Sequence, residues 1–225
     1  MIMEKYEPID YTKWNFDGKG NNIINSLSPI EQKIWNIALP FQDKRGDTGH
    51  AENVAYFTLM LTDILKGKRE ITIPAVILHD TGWSQLKENE LNQFYGSLGT
   101  ELEQQLRYRH QEEGVKFSEK LLTDLEYPSE FIDPILEIIS EHDTRKGFIS
   151  KEDGIVRDAD KLWRFTFTHW KDIILGNVGM SLSEGYKTTI AYFSKDGFFY
   201  SETSKQIARI EFDKAIETYF NEKSL

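Results

Sequence analysis

Apolar residues recur at helical spacing in one segment after another of this chain of 225 residues. In residues 50–66, Val54, Phe57 and Leu61 keep a period of about 3.6 residues and therefore share one helix face. Strand signals are sparse, because residues 70–73 are too few to build a sheet. The pattern predicts an all-α fold, a compact bundle of several helices.

The order of helices and loops follows from capping residues and breakers. Ser28, Pro29 and Glu31 form a capping-box pattern that predicts a helix from residue 28 to about residue 44. Pro74 and Pro134 are expected to stand at the starts of further helices. The other predicted helices cover about 50–66, 100–125, a segment through Asp160 to Gly176, 183–194 and 201–222, with loops at 45–49, 84–97 (a possible lid) and 147–154.

We expect a single domain in three parts. Residues 1–27 are predicted to be an irregular lead-in, residues 28–180 a helical core, and residues 181–225 C-terminal helices packed on that core. Apolar residues make up 39% of the chain, which is enough to bury such a core.

Charge and cysteine content exclude several classes of function. The chain has no cysteine, so disulfides, thiolate nucleophiles and cysteine-based metal sites are excluded. Its net charge of −10 gives no general attraction for nucleic acids or anionic membranes. No apolar stretch approaches the roughly 20 residues that cross a bilayer, and the N-terminus does not resemble a signal peptide. These features predict a cytoplasmic protein.

Four of the five histidines lie at the ends of apolar helical segments: His50, His79, His110 and His142. Helices that face one another can pool such side chains into a metal site. Buried imidazoles and carboxylates without a cation would be costly. A single histidine of this kind is more often a hydrogen-bonded core residue, and His110, in a charged helix, can equally face solvent.

The order of these residues resembles the HD superfamily of metal-dependent phosphohydrolases. The matching elements are His50 in TGHAENVAYF, the pair His79-Asp80 in AVILHDTGW, and Asp160 in VRDADKLWRF. The resemblance covers roughly residues 45–175. It implies a helical bundle around a metal site with these four residues as ligands, and with His79 and Asp80 in catalysis. It also favours Asp160 over Asp158 as the ligand.

A subset of that superfamily binds two metal ions through two further histidines. His110 in RYRHQEEGVKFSEKLL, followed by Gly114, and His142 in IISEHDTRKGF resemble those two. The resemblance thus implies a binuclear site in which Asp80 bridges two divalent ions. With nitrogen and oxygen ligands only, Mn, Fe, Ni, Mg or Zn are the expected metals.

The activity implied is hydrolysis of a phosphoester in a small phosphorylated substrate such as a nucleotide. The adjacent histidines and Gly-Tyr-Pro signature of cyclic-di-GMP phosphodiesterases are absent, and Thr81-Gly82-Trp83-Ser84 replaces the longer acidic motif of alarmone hydrolases. Two alternatives stay open. Some members resemble the same six-ligand set but are di-iron oxygenases, and a non-catalytic, metal-stabilised signalling module is a third reading.

A phosphate substrate also requires fixed positive charge near the metal ligands. Arg107 and Arg157 are nearby cations, and only one of Lys161 and Arg164 is expected to share the face of Asp160. For each cation, a solvated surface position is the alternative. The predicted substrate-binding residues are Arg109, Arg145, Lys146, Lys161 and Arg164.

Three aromatic residues near these motifs are read mainly as structural. Trp83 and Trp163 could stack on a base, but burial in the core is the expected role for a single tryptophan. His169 is expected on the same helix as Asp160, but its side chain points roughly half a turn away from that of Asp160. We therefore expect a structural role for His169.

Overall fold

The computed structural model describes residues 23–223, which form helices joined by turns, with no β-strand in that range. The all-α prediction is confirmed. A π-helix covers His169–Asn177, and 3₁₀ turns cover Leu39–Phe41, Thr81–Gln85, Tyr95–Ser97 and Tyr192–Ser194. The α-helices are α1 (Ile23–Ser26), α2 (Pro29–Ala38), α3 (His50–Leu65), α4 (Arg69–Leu78), α5 (Glu88–Gln93), α6 (Glu101–Asp124), α7 (Ser129–Ser140), α8 (Lys151–Trp163), α9 (Leu182–Ala191) and α10 (Glu202–Lys223). Among residues 23–223, no helix is both long and apolar enough to cross a membrane.

The start of α2 has the predicted capping box. The Ser28 hydroxyl accepts a hydrogen bond from the Glu31 N–H, and the Glu31 carboxylate accepts one from the Ser28 N–H at 2.6 Å. The helix ends at Ala38, not near Lys44. Pro40 has no N–H to continue the helical hydrogen bonds, and the chain passes into a 3₁₀ turn.

The prediction that Pro74 and Pro134 open their helices is wrong, because both lie inside α4 and α7. Residues 70–73, the thin strand signal, are helical. Proline at position 74 cannot donate to the Glu70 carbonyl, and the Tyr127 hydroxyl donates to that carbonyl instead, at 2.8 Å. A tertiary contact therefore replaces the hydrogen bond to the Glu70 carbonyl that Pro74 cannot donate within the helix.

The segment 147–154 is not entirely a loop, since α8 begins at Lys151. The Ser150 hydroxyl caps the helix by accepting from the Asp153 N–H at 3.0 Å. Gly154 lies within α8, where a Cβ atom would overlap the ring of Tyr200. Glycine is thus used here for close packing and does not end a helix.

The predicted lid segment, residues 84–97, is also more ordered than expected. It contains α5 and a 3₁₀ turn, and Phe94 is buried in a small apolar cluster with Trp83 and Leu106. This packing ties the segment to α6.

Packing between neighbouring helices brings parts of α3, α4, α6 and α7 into one region. α3 packs against α4 and α8, and α7 packs against α4 and α6. The turn Thr81–Gln85 lies so close to α6 that a Cβ atom on Gly82 would overlap the His110 carbonyl oxygen. This arrangement brings together the start of α3, the end of α4, the middle of α6 and the end of α7.

The two ends of the chain add to this core. Within the predicted irregular lead-in, residues 23–26 form α1, and residues 1–22 lie outside the described residues. α10 packs on α8, and its Ile207 and Phe212 belong to the main apolar cluster. The division at residue 180 stays a prediction.

Candidate metal centre

His50 and His79 meet because one begins a helix and the other follows the end of its neighbour. His50 is the first residue of α3, and His79 follows Leu78, the last residue of α4. Their Nε2 atoms lie 3.3 Å apart and both side chains are buried. The Nδ1 atom of His79 lies 2.7 Å from the Val76 carbonyl oxygen, so a neutral His79 donates there and turns a lone pair on Nε2 toward His50.

His110 and His142 form a second pair with the same spacing. Their Nε2 atoms also lie 3.3 Å apart, and the Nδ1 atom of His142 lies 2.9 Å from the Ile139 carbonyl oxygen. His110 is fully buried and stacks on Trp83 at 3.9 Å between ring centroids. The alternative that His110 faces solvent is therefore wrong.

Asp80 lies between the two histidine pairs, with one carboxylate oxygen toward each. Oδ2 is 3.2 Å from His50 Nε2 and 3.5 Å from His79 Nε2. Oδ1 is 3.3 Å from His142 Nε2 and 3.6 Å from His110 Nε2. This is the arrangement in which one carboxylate can bridge two cations.

A further carboxylate lies beside each pair. Asp160 Oδ1 is 3.5 Å from His50 and 3.8 Å from His79. Asp143 Oδ2 is 3.5 Å from His110 and 3.9 Å from His142. We name His50, His79 and Asp160 the first half-site, and His110, His142 and Asp143 the second half-site, with Asp80 common to both.

Asp158, the alternative to Asp160, is turned away from the histidines. Its carboxylate accepts hydrogen bonds from the N–H groups of Tyr200 at 2.8 Å and Ser201 at 3.0 Å. It therefore holds the start of the C-terminal segment against α8.

The donor set suits metal ions. The converging atoms are Nε2 atoms and carboxylate oxygens, and with each imidazole neutral and its proton on Nδ1 all of them are acceptors that need cations between them. Ligand atoms about 2.1 Å from one ion and about 100° apart lie about 3.2 Å from each other. The 3.3 Å spacing within each histidine pair matches that value. Within residues 23–223, two groups of side chains could hold an ion: His50, His79 and Asp80, and Asp80, His110 and His142.

Electrostatics differ between the half-sites although the distances agree. Burial alone would lower the pKa of His79, but Asp80 and Asp160 raise it to about 9. Burial, with His142 beside it, lowers the pKa of His110 to about 3. The surroundings of His79 therefore favour an added positive charge, and those of His110 disfavour one.

Arg45 was not predicted from the sequence, yet it contacts the Asp80 carboxylate. Its Nη2 donates to Asp80 Oδ2 at 2.6 Å and lies 2.8 Å from Asp47 Oδ2. Trp83 Nε1 donates to Asp80 Oδ1 at 3.0 Å. Against the burial that opposes ionisation, Arg45 and His79 hold the pKa of Asp80 well below its usual range.

The predicted substrate-binding cations separate into three groups. Arg164 lines the cavity of about 290 Å³ over the metal centre, and within residues 23–223 its guanidinium has no hydrogen bond or ion pair. Arg145, Lys146 and Lys161 line an adjoining cavity. Arg109 is 48% exposed, pairs with Glu90 and lines neither cavity, so the structure places it away from the site.

Two further residues differ from their sequence readings. His169 is not on the helix of Asp160, because α8 ends at Trp163 and the π-helix begins at His169. This break turns the His169 side chain to the wall of the cavity over the metal centre. Trp83 and Trp163 are both buried, as expected of core residues.

Comparisons with known proteins give a family match and a similar fold. The sequence model of the HD domain matches residues 48–164, more than half of the chain. The fold is similar to the crystal structure, at 1.45 Å resolution, of a predicted HD superfamily hydrolase from an uncultured Thermotogales bacterium. The TM-score is 0.54 and the identity 18%, over 86% of this chain and 91% of that one. None of the curated proteins matches.

Proposed function

The chain belongs to the HD-domain family, and from this membership we propose that it is a metal-dependent phosphohydrolase acting on a small phosphoester such as a nucleotide. The observation that carries the proposal is the position of Asp80, whose two oxygens face two separate histidine pairs. Two cations held on either side of one carboxylate are the arrangement used in hydrolytic two-metal sites.

The residues that would hold the ions follow from the distances. The first half-site together with Asp80 would hold one ion, and His110, His142 and Asp80 would hold the other. Asp143 lies where it can complete the second set. When bound, such ions supply a water acidified to near neutral pH and polarise a phosphoryl oxygen.

The side chains around Asp80 keep it ionised and oriented. Arg45 fixes one carboxylate oxygen and the Trp83 indole fixes the other. The Nδ1 contact of His79 with the Val76 carbonyl orients that imidazole. These contacts preserve the acceptor geometry that catalysis by Asp80 and His79 requires.

Arg164 is the proposed phosphate-binding residue at this cavity. It follows Asp160 by one helical turn, and its guanidinium is half-buried and unpaired in the described part of the chain. A planar guanidinium binds two phosphate oxygens at once, so it would orient the phosphoryl group beside the metal centre. Arg107, by contrast, is occupied by Asp143 and Glu103.

The test begins with the metal content of the purified protein. We expect about two divalent ions per chain, and phosphate release from some member of a panel of nucleotides and other small phosphoesters supplied with Mn, Ni, Fe or Mg. His79→Ala should lose metal and activity while the helical circular dichroism is retained. Asp124→Ala, an exposed carboxylate paired only with Lys120, is the matched control.

Other outcomes would identify the alternatives. Bound iron, oxygen consumption with a substrate and no phosphate release would indicate a di-iron oxygenase on the same ligands. Bound metal with neither activity would indicate a non-catalytic module. Full activity in His79→Ala would contradict the assignment of the site.

A further inference from the structure

A second cavity of about 530 Å³ adjoins the one over the metal centre. The two cavities share Asp160 on α8, Arg164 directly after this helix, Arg107 on α6 and Asp143. A molecule with one end at the metal ions could therefore extend directly into the second cavity.

Cations without strong partners line this second cavity. Within residues 23–223, Lys146, Lys195 and Arg164 have no hydrogen bond or ion pair from their side chains. Lys161 is held only loosely, with its ammonium 3.9 Å from Asp158. We call Lys146, Lys161 and Lys195 the cationic groove, and Arg164, which lines both cavities, lies between this groove and the candidate metal centre.

Two other cations of the same cavity are occupied and serve the structure. Arg157 donates to the carbonyl oxygens of His142 at 3.0 Å and Arg145 at 2.7 Å. Arg145 pairs with Glu141 at 3.0 Å and with Asp153 at 3.4 Å. The free cations of the groove are therefore not needed to hold the loop that follows His142.

The carboxylates of the cavity do not neutralise the groove. Glu103 and Asp143 both pair with Arg107, and Asp160 faces the first half-site. Asp196 is the remaining acid in the lining, on an exposed turn. A concentration of unpaired positive charge is thus present in a chain whose net charge is −10.

The partly buried Lys161 adds a second line of support. Its side chain is 14% exposed, and its ammonium lies 4.8 Å from the Phe148 ring and 5.4 Å from the Phe198 ring. Lys195 also approaches the Phe198 ring, at 5.9 Å. Partly desolvated cations over aromatic faces gain most from an anion that enters the same space.

We propose that the cationic groove binds a second anionic group of the substrate. The substrate is then a small molecule with two anionic groups, a phosphoryl group at the metal centre and another in the groove. This inference rests on the proposed function for the first of the two groups. It narrows the substrate class from phosphoesters in general to compounds with two anionic groups.

The test uses non-hydrolysable ligands that differ in one charge. Phosphonoacetate, phosphonopropionate and phosphonobutyrate are compared with ethyl-, propyl- and butylphosphonate by calorimetric titration of the metal-loaded protein. At one or more chain lengths we expect the dianionic ligand to bind about tenfold more tightly or better, as for hydrogen bonds to charged groups. The advantage should shrink as salt is added.

Variants locate the effect. We expect the ratio of phosphonocarboxylate affinity to alkylphosphonate affinity to fall toward one in two variants, the double variant Lys146→Ala with Lys195→Ala and the single variant Lys161→Met. The affinity for the alkylphosphonate itself should stay unchanged in both. Lys161→Met keeps the apolar packing against Phe148 and Phe198. Lys171→Ala, which removes an exposed lysine paired with Glu222, should leave the ratio as in the wild type.

The outcomes separate this inference from the proposed function. Equal affinity for both ligand classes at every chain length would overturn the groove, even in a protein that releases phosphate from monoesters. A persistent dianion advantage that the lysine variants abolish would support the groove, whereas absence of phosphate release would then count against hydrolysis alone. A dianion advantage that the lysine variants leave intact would also overturn it.

Discussion

The first and second half-sites have nearly identical geometry but opposite electrostatics. Each has two imidazoles whose Nε2 atoms are 3.3 Å apart, an oxygen of Asp80, and one carboxylate 3.5 Å from the nearer histidine. Yet the pKa of His79 is raised to about 9 and that of His110 is lowered to about 3. Equal distances therefore do not imply equal affinity for a cation.

The two half-sites also differ in what surrounds each carboxylate. Asp143 is already paired with Arg107 at 2.6 Å. Asp160 has no ion pair with an arginine or lysine in the described part of the chain. A site that favours an added proton also favours a metal cation, so we expect the first half-site to bind its ion more tightly.

Loss of the shared ligand should have the largest effect, because it removes what the half-sites have in common. In Asp80→Asn we expect both ions to be lost and phosphoester hydrolysis to fall by a factor on the order of 10³ or more. Elemental analysis and initial rates measure the two effects. Asp124→Asn is the control, and one ion retained at full occupancy in Asp80→Asn would show that Asp80 does not bridge.

Loss of the carboxylate of Asp160 or of Asp143 should weaken the binding of one ion each, to different extents. Asp160→Asn should weaken the first ion by on the order of 100-fold, and Asp143→Asn the second by about tenfold, since Arg107 already offsets part of its charge. Competition with a graded chelator, followed by metal analysis, measures both affinities.

A matched variant tests whether Asp143 acts through metal binding or only through Arg107. The Glu103 carboxylate also pairs with Arg107, at 2.8 Å, and it is not a proposed metal ligand. Glu103→Gln therefore removes a partner of Arg107 without changing the proposed ligand set. It should leave the ion content unchanged. If Glu103→Gln and Asp143→Asn had the same effect, Asp143 would be a partner of Arg107 and not a ligand.

The sequence contained enough to predict most residues of the candidate metal centre but not its charge balance. His50, His79 and His142 lie where apolar helical segments begin or end, and such positions can be read from periodicity. Arg45 reaches Asp80 across 35 positions of sequence, from a loop without periodicity. Asp143 stands beside His142, yet nothing local shows that it faces His110 rather than solvent.

Helix ends, too, could be predicted from the sequence only where they do not depend on contacts between distant residues. The bounds of α3 follow from its apolar pattern, and α6 begins after Thr100, whose hydroxyl accepts from the Glu103 N–H. The prediction from Pro74 was wrong because the Tyr127 hydroxyl donates to the Glu70 carbonyl, which the proline leaves without a helical partner. Tyr127 and Glu70 are 57 positions apart in the sequence. The break after Trp163 carries no proline or glycine signal, so the placement of His169 depends on tertiary packing.

Metal-stripped protein should reveal the electrostatic difference directly. His79, with its pKa raised to about 9, should stabilise the fold fully below about pH 6.5 and lose that contribution as pH rises through 9. His110, with its pKa lowered to about 3, contributes above about pH 6.5, and its contribution is lost as pH falls toward 3.

Titration of the imidazole resonances by nuclear magnetic resonance, with His79→Gln and His110→Gln to assign them, measures both pKa values. Thermal unfolding against pH then tests the two opposite slopes. If both histidines titrated near pH 6.5, the half-sites would be electrostatically equivalent and the expected order of ion loss would have no basis.

Arg164 should have the smallest effect, because it lies beside the first half-site without contacting its carboxylate. In Arg164→Ala we expect KM for the phosphoester to rise by about tenfold, since one charge-assisted hydrogen-bonding group is lost, while the ion content is unchanged. Arg109→Ala, on the surface with Glu90, should change neither quantity. A lower ion content in Arg164→Ala would instead mean that Arg164 supports Asp160, and the two half-sites would then both depend on an arginine.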